Sequence, residues 1–391
     1  MAIWSTYMSD SASPMDWIKA RALHFLWTLS TLAPRNTRIW VFSGWHRGPR
    51  GEIFTDNCKY LYLYVSKHEP RITAIWLAKD RALATTLREH GYRAYYEKSL
   101  AGVWYALCAG VTVLDAYLSA YNYRFVGRSR IVQLLHGKGM KEGGYATKPL
   151  RPNDYIFAPS SFVLEILSEA FSRGSKKCIT GYPRSDALLG CDYDVPIHTD
   201  EETVKILTTL RAQGTKCVWY APTFRRGEHH FAIHEKIDMP RMSQVLAEAN
   251  AHLFISLHPK YHRQTLDSQY DNIHVLREQN FFPLYPLFDI LITDYSSSFT
   301  DFLLLDRPII FYPYDLEAYQ TNEGISIDYE NMTPGTKAYT KGELIEVLKT
   351  TLATDTYGAA RARIRKQYHT YADNRASKRI TDILVRDLDI R

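Results

Sequence analysis

The sequence predicts an α/β protein with two Rossmann-like domains facing a central cleft, a helix before the first domain and helices after the second. Three observations predict it. Short β-rich apolar runs alternate with helix-like stretches, the pattern of βα units on a parallel sheet. The alternation stops at a polar stretch, 190–200 (GCDYDVPIHTD), and then restarts. The 391 residues suit two or three domains at roughly 150 residues per domain. The expected division is a helical segment over 1–35, a first domain over 36–190 and a second over 191–391.

In chain order, the first half reads as strands at 38–43, 72–77, 92–96, 111–114, 130–135, 154–158 and 178–180. Helices are expected at 80–90, closed by Gly91, and at 160–171, opened by Ser160. The second half repeats the pattern, with helices at 201–213, 240–249 and 297–305 and strands at 217–220, 251–257, 273–276, 290–293 and 308–312. From Tyr339 the chain is helical, and Arg361, Arg363, Arg365, Lys366, Arg375, Lys378 and Arg379 make its last stretch basic. Such a run is usually a solvated helix face; an anionic lipid surface or phosphorylated polymer is the sharper alternative.

Ahead of the first strand, the apolar stretch 22–34 falls short of the roughly 20 residues that span a bilayer. Asp10 and Asp16 precede it and no Ala-x-Ala site follows, so it does not read as a secretory signal. Residues 15–32 read as a helix. Trp17, Phe25, Leu26 and Trp27 lie near Lys19, Arg21, Arg35 and Arg38, which suits an interfacial helix and equally a helix packed on its own domain.

Composition excludes several classes. With 46% hydrophobic and 23% charged residues the chain is not disordered, and 20 Gly with 17 Pro exclude collagen-like and low-complexity chains. A net charge of +6 allows an anionic partner without demanding one. The five cysteines are scattered without a CxxC pair, which argues against a disulfide framework or a zinc site. There is no P-loop, GxSxG, GxGxxG or RNA-binding signature, so no nucleic-acid partner is expected.

In open α/β sheets ligands bind beyond the carboxyl ends of the strands, and four strand ends carry chemistry. In LLHGKGMK a strand stops at His136, a side chain suited to general base work, and Gly137, Lys138 and Lys141 follow in a Gly-rich turn. In WYAPTFRR a strand delivers Thr223, Arg225 and Arg226, and guanidinium forks suit phosphate oxygens. In SLHPK a strand ends at His258 with Lys260 beyond it, two cations able to hold a diphosphate. The last, DILITDYSSSFTD, runs through Thr293, Asp294 and Tyr295 into Ser296, Ser297 and Ser298. There Ser297 or Ser298 can cap a helix whose N–H groups favour an anion. Plain capping needs one serine, not three. The run HHFAIH (229–234) resembles a metal motif, but neither Glu228 nor Glu235 completes a ligand spacing, and no metal site is expected.

Taken together, LLHGKGMK, DYIFAPSSF, ITGYPRSDALL, WYAPTFRR, SLHPK, DILITDYSSSFTDFLLLDRPIIFYPYDLEAY and DYENMTPG occur in an order that resembles the CDP-glycerol glycerophosphotransferase family of teichoic acid synthesis, from about Arg38 to about Leu348. The resemblance implies a GT-B fold, a CDP-alcohol donor and a peripheral, monotopic enzyme on the cytoplasmic face of the membrane. It places the base at His136 and a second catalytic histidine at His258, near the donor phosphates with Arg225 and Lys260. It places the donor loop on Thr293, Asp294, Tyr295, Ser296 and Ser297, with Ser298 beside it and Asp301 a turn later. Lys138 and Gly139 stand where the family commonly has Thr-Pro, on the loop expected to face the acceptor. The resemblance implies transfer of glycerol phosphate from CDP-glycerol to a polyprenyl-diphosphate-linked disaccharide with release of CMP, without cofactor or metal. Size suggests a compact priming member. CDP-ribitol use, capsule polymer synthesis, a nucleotide-sugar glycosyltransferase or epimerase, and a non-enzymatic membrane scaffold are the alternatives.

Overall fold

The computed structural model describes residues 14–44, 47–48, 51–137, 140, 151–225, 231–257, 269–276 and 280–391. Among them, two parallel sheets carry the fold. The first comprises β1 (Asn36–Ser43), β2 (Thr73–Ala78), β3 (Ala94–Tyr96), β4 (Ala109–Leu114), β5 (Arg130–Gln133), β6 (Tyr155–Ala158) and β7 (Lys176–Ile179), in the order β3-β2-β1-β4-β5-β6-β7. The second comprises β8 (Lys216–Ala221), β9 (Ala251–Ser256), β10 (Ile273–Leu276), β11 (Ile290–Thr293), β12 (Ile309–Phe311) and β13 (Thr336–Lys337), in the order β10-β9-β8-β11-β12-β13. Each sheet starts at its centre and winds outward both ways, the doubly wound Rossmann order. The winding reverses between β1 and β4, where Val41 pairs with Thr112, and between β8 and β11, where Tyr220 pairs with Ile292. These are the two switch points. Strands β4 and β11 are buried along their whole length, so they read as continuous apolar runs rather than alternating ones.

The helices that position the site are α1 (Pro14–Ser30), α2 (Asp56–His68), α3 (Leu100–Cys108), α4 (Ala120–Val126), α5 (Pro183–Leu188), α6 (Ser298–Phe302) and α7 (Ala376–Asp387). Helix α2 is missing from the sequence reading, and its burial explains why. Residues from Asp56 to Leu63 are all buried, so no amphipathic period marks it. Even Lys59 is fully enclosed, with Nζ 2.8 Å from Asp194 and 3.0 Å from the Val195 carbonyl. The expected helix over 160–171 is two short ones, Ser161–Glu165 and Glu169–Ser172, because Ser168 Oγ accepts the Phe171 N–H and caps a new start.

The expected division at 190/191 also shifts. Tyr193 and Ile197, assigned to a linker, are buried in the first domain's core. The last helix returns to that core as well, contributing Ile380, Leu384 and, just beyond it, Ile390. Asp186 holds it there, accepting the Ala376 and Ser377 N–H groups at 2.9 Å each and the Tyr193 hydroxyl at 2.6 Å. A carboxylate at a helix N-terminus satisfies N–H groups that have no partner within the helix.

Three of the seven cations of the basic C-terminal stretch are paired with carboxylates within the chain. Arg361 is buried between Asp355 (2.5 Å) and Asp306 (3.3 Å), Lys378 lies 2.7 Å from Asp382, and Arg379 pairs with Asp373. Arg35, expected among the lipid-facing charges of the first helix, is a structural staple. Its guanidinium donates to the carbonyls of Ser30, Ala106 and Phe125 at 2.8–2.9 Å, at the carboxyl ends of α1, α3 and α4. A cation there offsets the negative ends of all three helix dipoles. Gly127 (φ 36°) makes room for it, since a Cβ would lie 2.3 Å from both Arg35 Nη2 and the Ser30 carbonyl oxygen. Among the described residues, no helix is long and apolar enough to cross a membrane.

Arg35→Met removes charged hydrogen bonds from three helix ends, and stability should fall by about 2–3 kcal/mol. The check is a lower urea midpoint at unchanged slope.

Candidate active site

The loop of His136 leaves β5 two residues earlier than the sequence suggested. Leu135 adopts a left-handed backbone (φ 62°), which ends the strand and turns the chain. The turn is fixed from several sides. Gln133 Oε1 accepts the Leu135 N–H at 2.9 Å, and Asn57 Nδ2 donates to the Leu135 carbonyl at 2.7 Å. His136 Nδ1 lies 3.0 Å from the Asp115 carbonyl just past β4. A carbonyl only accepts, so Nδ1 carries a hydrogen and the neutral ring keeps its lone pair on Nε2. This is the tautomer a general base needs if Nε2 faces the substrate.

Arg184, near the start of α5, ties this loop to the second domain. It is 2% exposed. Its Nη1 donates to the His136 carbonyl and to Asp56 Oδ1, both at 2.8 Å. Its Nε and Nη2 make a two-pronged contact with Asp301 at 3.1 and 2.9 Å. The guanidinium also lies over the rings of Tyr182 and Phe282. Burial alone would lower its pKa, but Asp301 and Asp56 push it well up, so the charge persists. Gly137 (φ 98°) is required beside it, because a Cβ would lie 2.8 Å from Arg184 Nη2.

On the donor side, β8 and β11 deliver a hydroxyl-rich turn over a rigid acidic base. Asp294 is buried and accepts the Thr223 hydroxyl at 2.6 Å, the Thr223 N–H at 2.9 Å and the Tyr295 N–H at 2.6 Å. Arg225 lies 2.8 Å from Asp294 and makes a two-pronged contact with Asp315 at 2.7 and 2.9 Å. It sits over Tyr295, Tyr314 and Tyr319, and Tyr295 stacks on Tyr319 at 3.8 Å. Thr293 Oγ1 donates to the Ala221 carbonyl at 2.8 Å. Above this block Ser296, Ser297 and Ser298 are half-buried. Ser296, not Ser297 or Ser298, organises the helix start: its Oγ accepts the Ser298 N–H at 3.2 Å and donates to Ser298 Oγ at 3.0 Å. Ser297 occupies the cap position without a side-chain cap bond.

Several sequence expectations change here. Arg225 was read as a phosphate ligand, but its guanidinium is committed to two carboxylates, as a mostly buried arginine must be. Asp294, Thr293 and Tyr295 are buried beneath the turn and act as its scaffold. Asp301 faces Arg184 rather than a donor site. Ser296, Ser297, Ser298 and Gly137 stay at the strand ends where they were sought. His258, Lys260, Lys138 and Lys141 lie outside the described residues, as do Arg226, His229 and His230. Among the described residues no cluster of metal-ligating side chains forms. Sequence reasoning missed Arg184, Asp56, Asn57 and Asp115. The signal was available in the strand-end phrase GYPRSD and in the aspartate that follows β4.

Beside Asp115 the first sheet's strand ends form a small pocket lined in part by Ser43, Lys79, Tyr117, Ser119 and Asn122. Behind it, burial raises the Glu52 carboxyl to about 8, so that it is largely protonated at neutral pH. Lys79 Nζ donates to the Gly44 carbonyl.

Residues 28–386 match the family model described as CDP-glycerol:poly(glycerophosphate) glycerophosphotransferase. The chain is 27% identical over 397 residues to the teichoic acid glycerol-phosphate transferase of Staphylococcus aureus, covering 93% of this chain and 97% of that one. It is 27% identical over 355 residues to the teichoic acid poly(glycerol phosphate) polymerase of Bacillus spizizenii, covering 82% and 85% respectively. A solved structure of the wall teichoic acid polymerase TagF superposes with a TM-score of 0.71 at 22% identity over 95% of each chain, a likeness of fold, and that fold is GT-B-like. With a family match along nearly its whole length, this chain is a transferase that belongs to the CDP-glycerol:poly(glycerophosphate) glycerophosphotransferase family.

Proposed function

We propose that the protein transfers glycerol phosphate from CDP-glycerol to a hydroxyl of a polyprenyl-diphosphate-linked disaccharide, as a priming step in teichoic acid synthesis. His136 Nε2 takes the proton of the acceptor hydroxyl. The freed oxygen attacks the distal phosphorus of CDP-glycerol, and the bond from that phosphorus to the CMP oxygen breaks. CMP leaves with the electron pair. The half-buried hydroxyls of Ser296, Ser297 and Ser298 receive the donor phosphates, while His258 and Lys260 supply positive charge as the family resemblance implies. Positioning and electrostatics are most of what phosphoryl transfer asks of a protein, and this reading needs no metal.

The observation that carries the reading is the loop of His136: its ring is oriented by the Asp115 carbonyl, and its backbone is tied through Arg184 to the helix that starts at the serine turn. The pocket of Ser43, Lys79 and Asn122 supports an acceptor approaching from the first domain. Support for a membrane surface comes from α1 and α3. Both pack on α4, and they leave Ile18, Phe25, Leu29, Leu32, Leu100 (94% exposed) and Trp104 (63% exposed) uncovered. Aromatic and aliphatic side chains so exposed suit the headgroup region, and the cytoplasmic leaflet is where a nucleotide donor would be met.

The deciding assay is CMP release from CDP-glycerol, CDP-ribitol or a UDP-sugar, with a synthetic lipid-linked disaccharide as acceptor. CDP-glycerol alone should be consumed, leaving one glycerol phosphate on each acceptor. Turnover of the UDP-sugar instead would reject the reading in favour of a glycosyltransferase. His136→Ala should lower kcat by about 10²–10⁴-fold and leave CDP-glycerol binding intact, whereas parallel loss of both would refute its role as base. Phe25→Ser with Trp104→Ser should abolish co-sedimentation with anionic liposomes at unchanged kcat on a soluble acceptor. Full retention on the liposomes would remove this surface from the membrane role.

A further inference from the structure

Arg184 is the point where the base loop and the donor helix meet. On the first-domain side it holds the His136 carbonyl and Asp56; on the second-domain side it grips both oxygens of Asp301. Asp301 lies on α6, three residues after Ser298. The segment carrying His136 lies beyond the end of β5, and Leu135 holds a left-handed backbone within it. Its position is therefore set by point contacts, and one of those contacts is a rigid planar cation whose other edge sits on the donor helix.

We propose that Arg184 is a positioning residue that couples occupancy of the donor turn to the placement of His136. This rests on the reading of His136 as base and of the serine turn as donor site. A shift of α6 on donor binding moves Asp301. The two-pronged contact fixes the plane of the guanidinium, so that motion reaches Nη1 and hence the His136 carbonyl. Gly137, which lacks a Cβ where Arg184 Nη2 would collide with it, lets the loop stay in contact with the guanidinium.

Two observations separate this from a general bond between domains. The domains share other contacts, which hold them together without Arg184. The Met140 carbonyl accepts from Ser326 N–H at 2.7 Å, Thr55 Oγ1 donates to Asn280 at 2.7 Å, and one apolar cluster includes Leu135 and Tyr182 with Phe299 and Phe302. None of those polar contacts touches His136. Arg184 also approaches the loop through a backbone carbonyl, so it moves the histidine without competing for its ring.

The test uses Asp301→Asn, which keeps the shape and removes the charge, and Arg184→Lys, which keeps the charge and removes the fork. Kd for CDP-glycerol is read by calorimetry, and kcat and KM by CMP release. Amide exchange of residues 134–137 is measured with and without donor. In the wild type, CDP-glycerol should slow exchange in that segment. In Asp301→Asn, Kd should be unchanged, kcat should fall by about 10–100-fold, as expected for a misplaced catalytic group, and the donor-dependent protection should vanish. Arg184→Lys should show an intermediate kcat. Thr55→Val, which removes a different interdomain bond, should keep both kcat and the protection.

The coupling is overturned if the wild type shows no donor-dependent protection of 134–137, a measurement that decides even should Asp301→Asn fail to fold. It is overturned equally if Asp301→Asn retains kcat, or if Thr55→Val loses kcat as steeply. A wild type that binds no CDP-glycerol sinks the donor reading and the coupling together. Normal donor binding and turnover without the protection sink the coupling alone.

Discussion

A single buried guanidinium sets the geometry at the centre of this molecule. Arg184 is drawn out of water, and in a protein interior such a cation is tolerated only when its donors are met by well-placed acceptors. Asp56, Asp301 and the His136 carbonyl provide them. Losing one carboxylate from such a site costs about 3–5 kcal/mol, because an uncompensated charge stays behind. Two unusual backbones beside it then make sense. Asp56 (φ 67°) and Leu135 (φ 62°) both adopt left-handed conformations that cost about 1–3 kcal/mol each and persist only where their surroundings over-determine them. Asp56 turns its carboxylate onto the cation, and Leu135 turns the following carbonyl onto it.

Both sheets were legible in the sequence because β-rich runs separated by helical stretches have few alternative packings. Which strands meet at each switch point was not, since Val41 with Thr112 and Tyr220 with Ile292 lie far apart in the chain. The helices that escaped include the largely buried α2 and short ones such as α4 and α5, where burial or brevity erases the periodic signal. At the proposed site, His136 stands out because a histidine ending an apolar strand is visible locally. Arg225 is visible in the same way, but its partners are not. A sequence shows that an arginine follows a strand; it does not show that Asp294 and Asp315, 69 and 90 positions later, will claim it. Arg184 was passed over for the same reason, its acidic partners lying more than a hundred residues away on either side.

The serine turn rests on a tightly bonded foundation. Asp294 gathers hydrogen bonds from Thr223 and Tyr295, Arg225 joins it to Asp315, and the Tyr295 hydroxyl returns to Asp315 at 3.0 Å. Side chains locked this way fix the strand end beneath the turn, so stabilisation of developing charge costs little at the moment of reaction, while the helix that leaves the turn is not part of this lock. The half-buried serines are therefore presented by a stiff support, while the base loop opposite is held by separable contacts.

The return of α7 to the first domain bears on how the chain is made. A polypeptide emerges from the ribosome N-terminus first, at about 5–20 residues per second, and domains generally fold as units in that order. Here the first sheet is complete by Ile179, yet Ile380, Leu384 and Ile390 of its core arrive some two hundred residues later. Roughly 10–40 s separate the two events at that pace. Throughout that interval the groove on α2 and α5 destined for α7 stays open and apolar. A nascent chain in this state is a natural client for a chaperone, and the first domain closes only once α7 has been made.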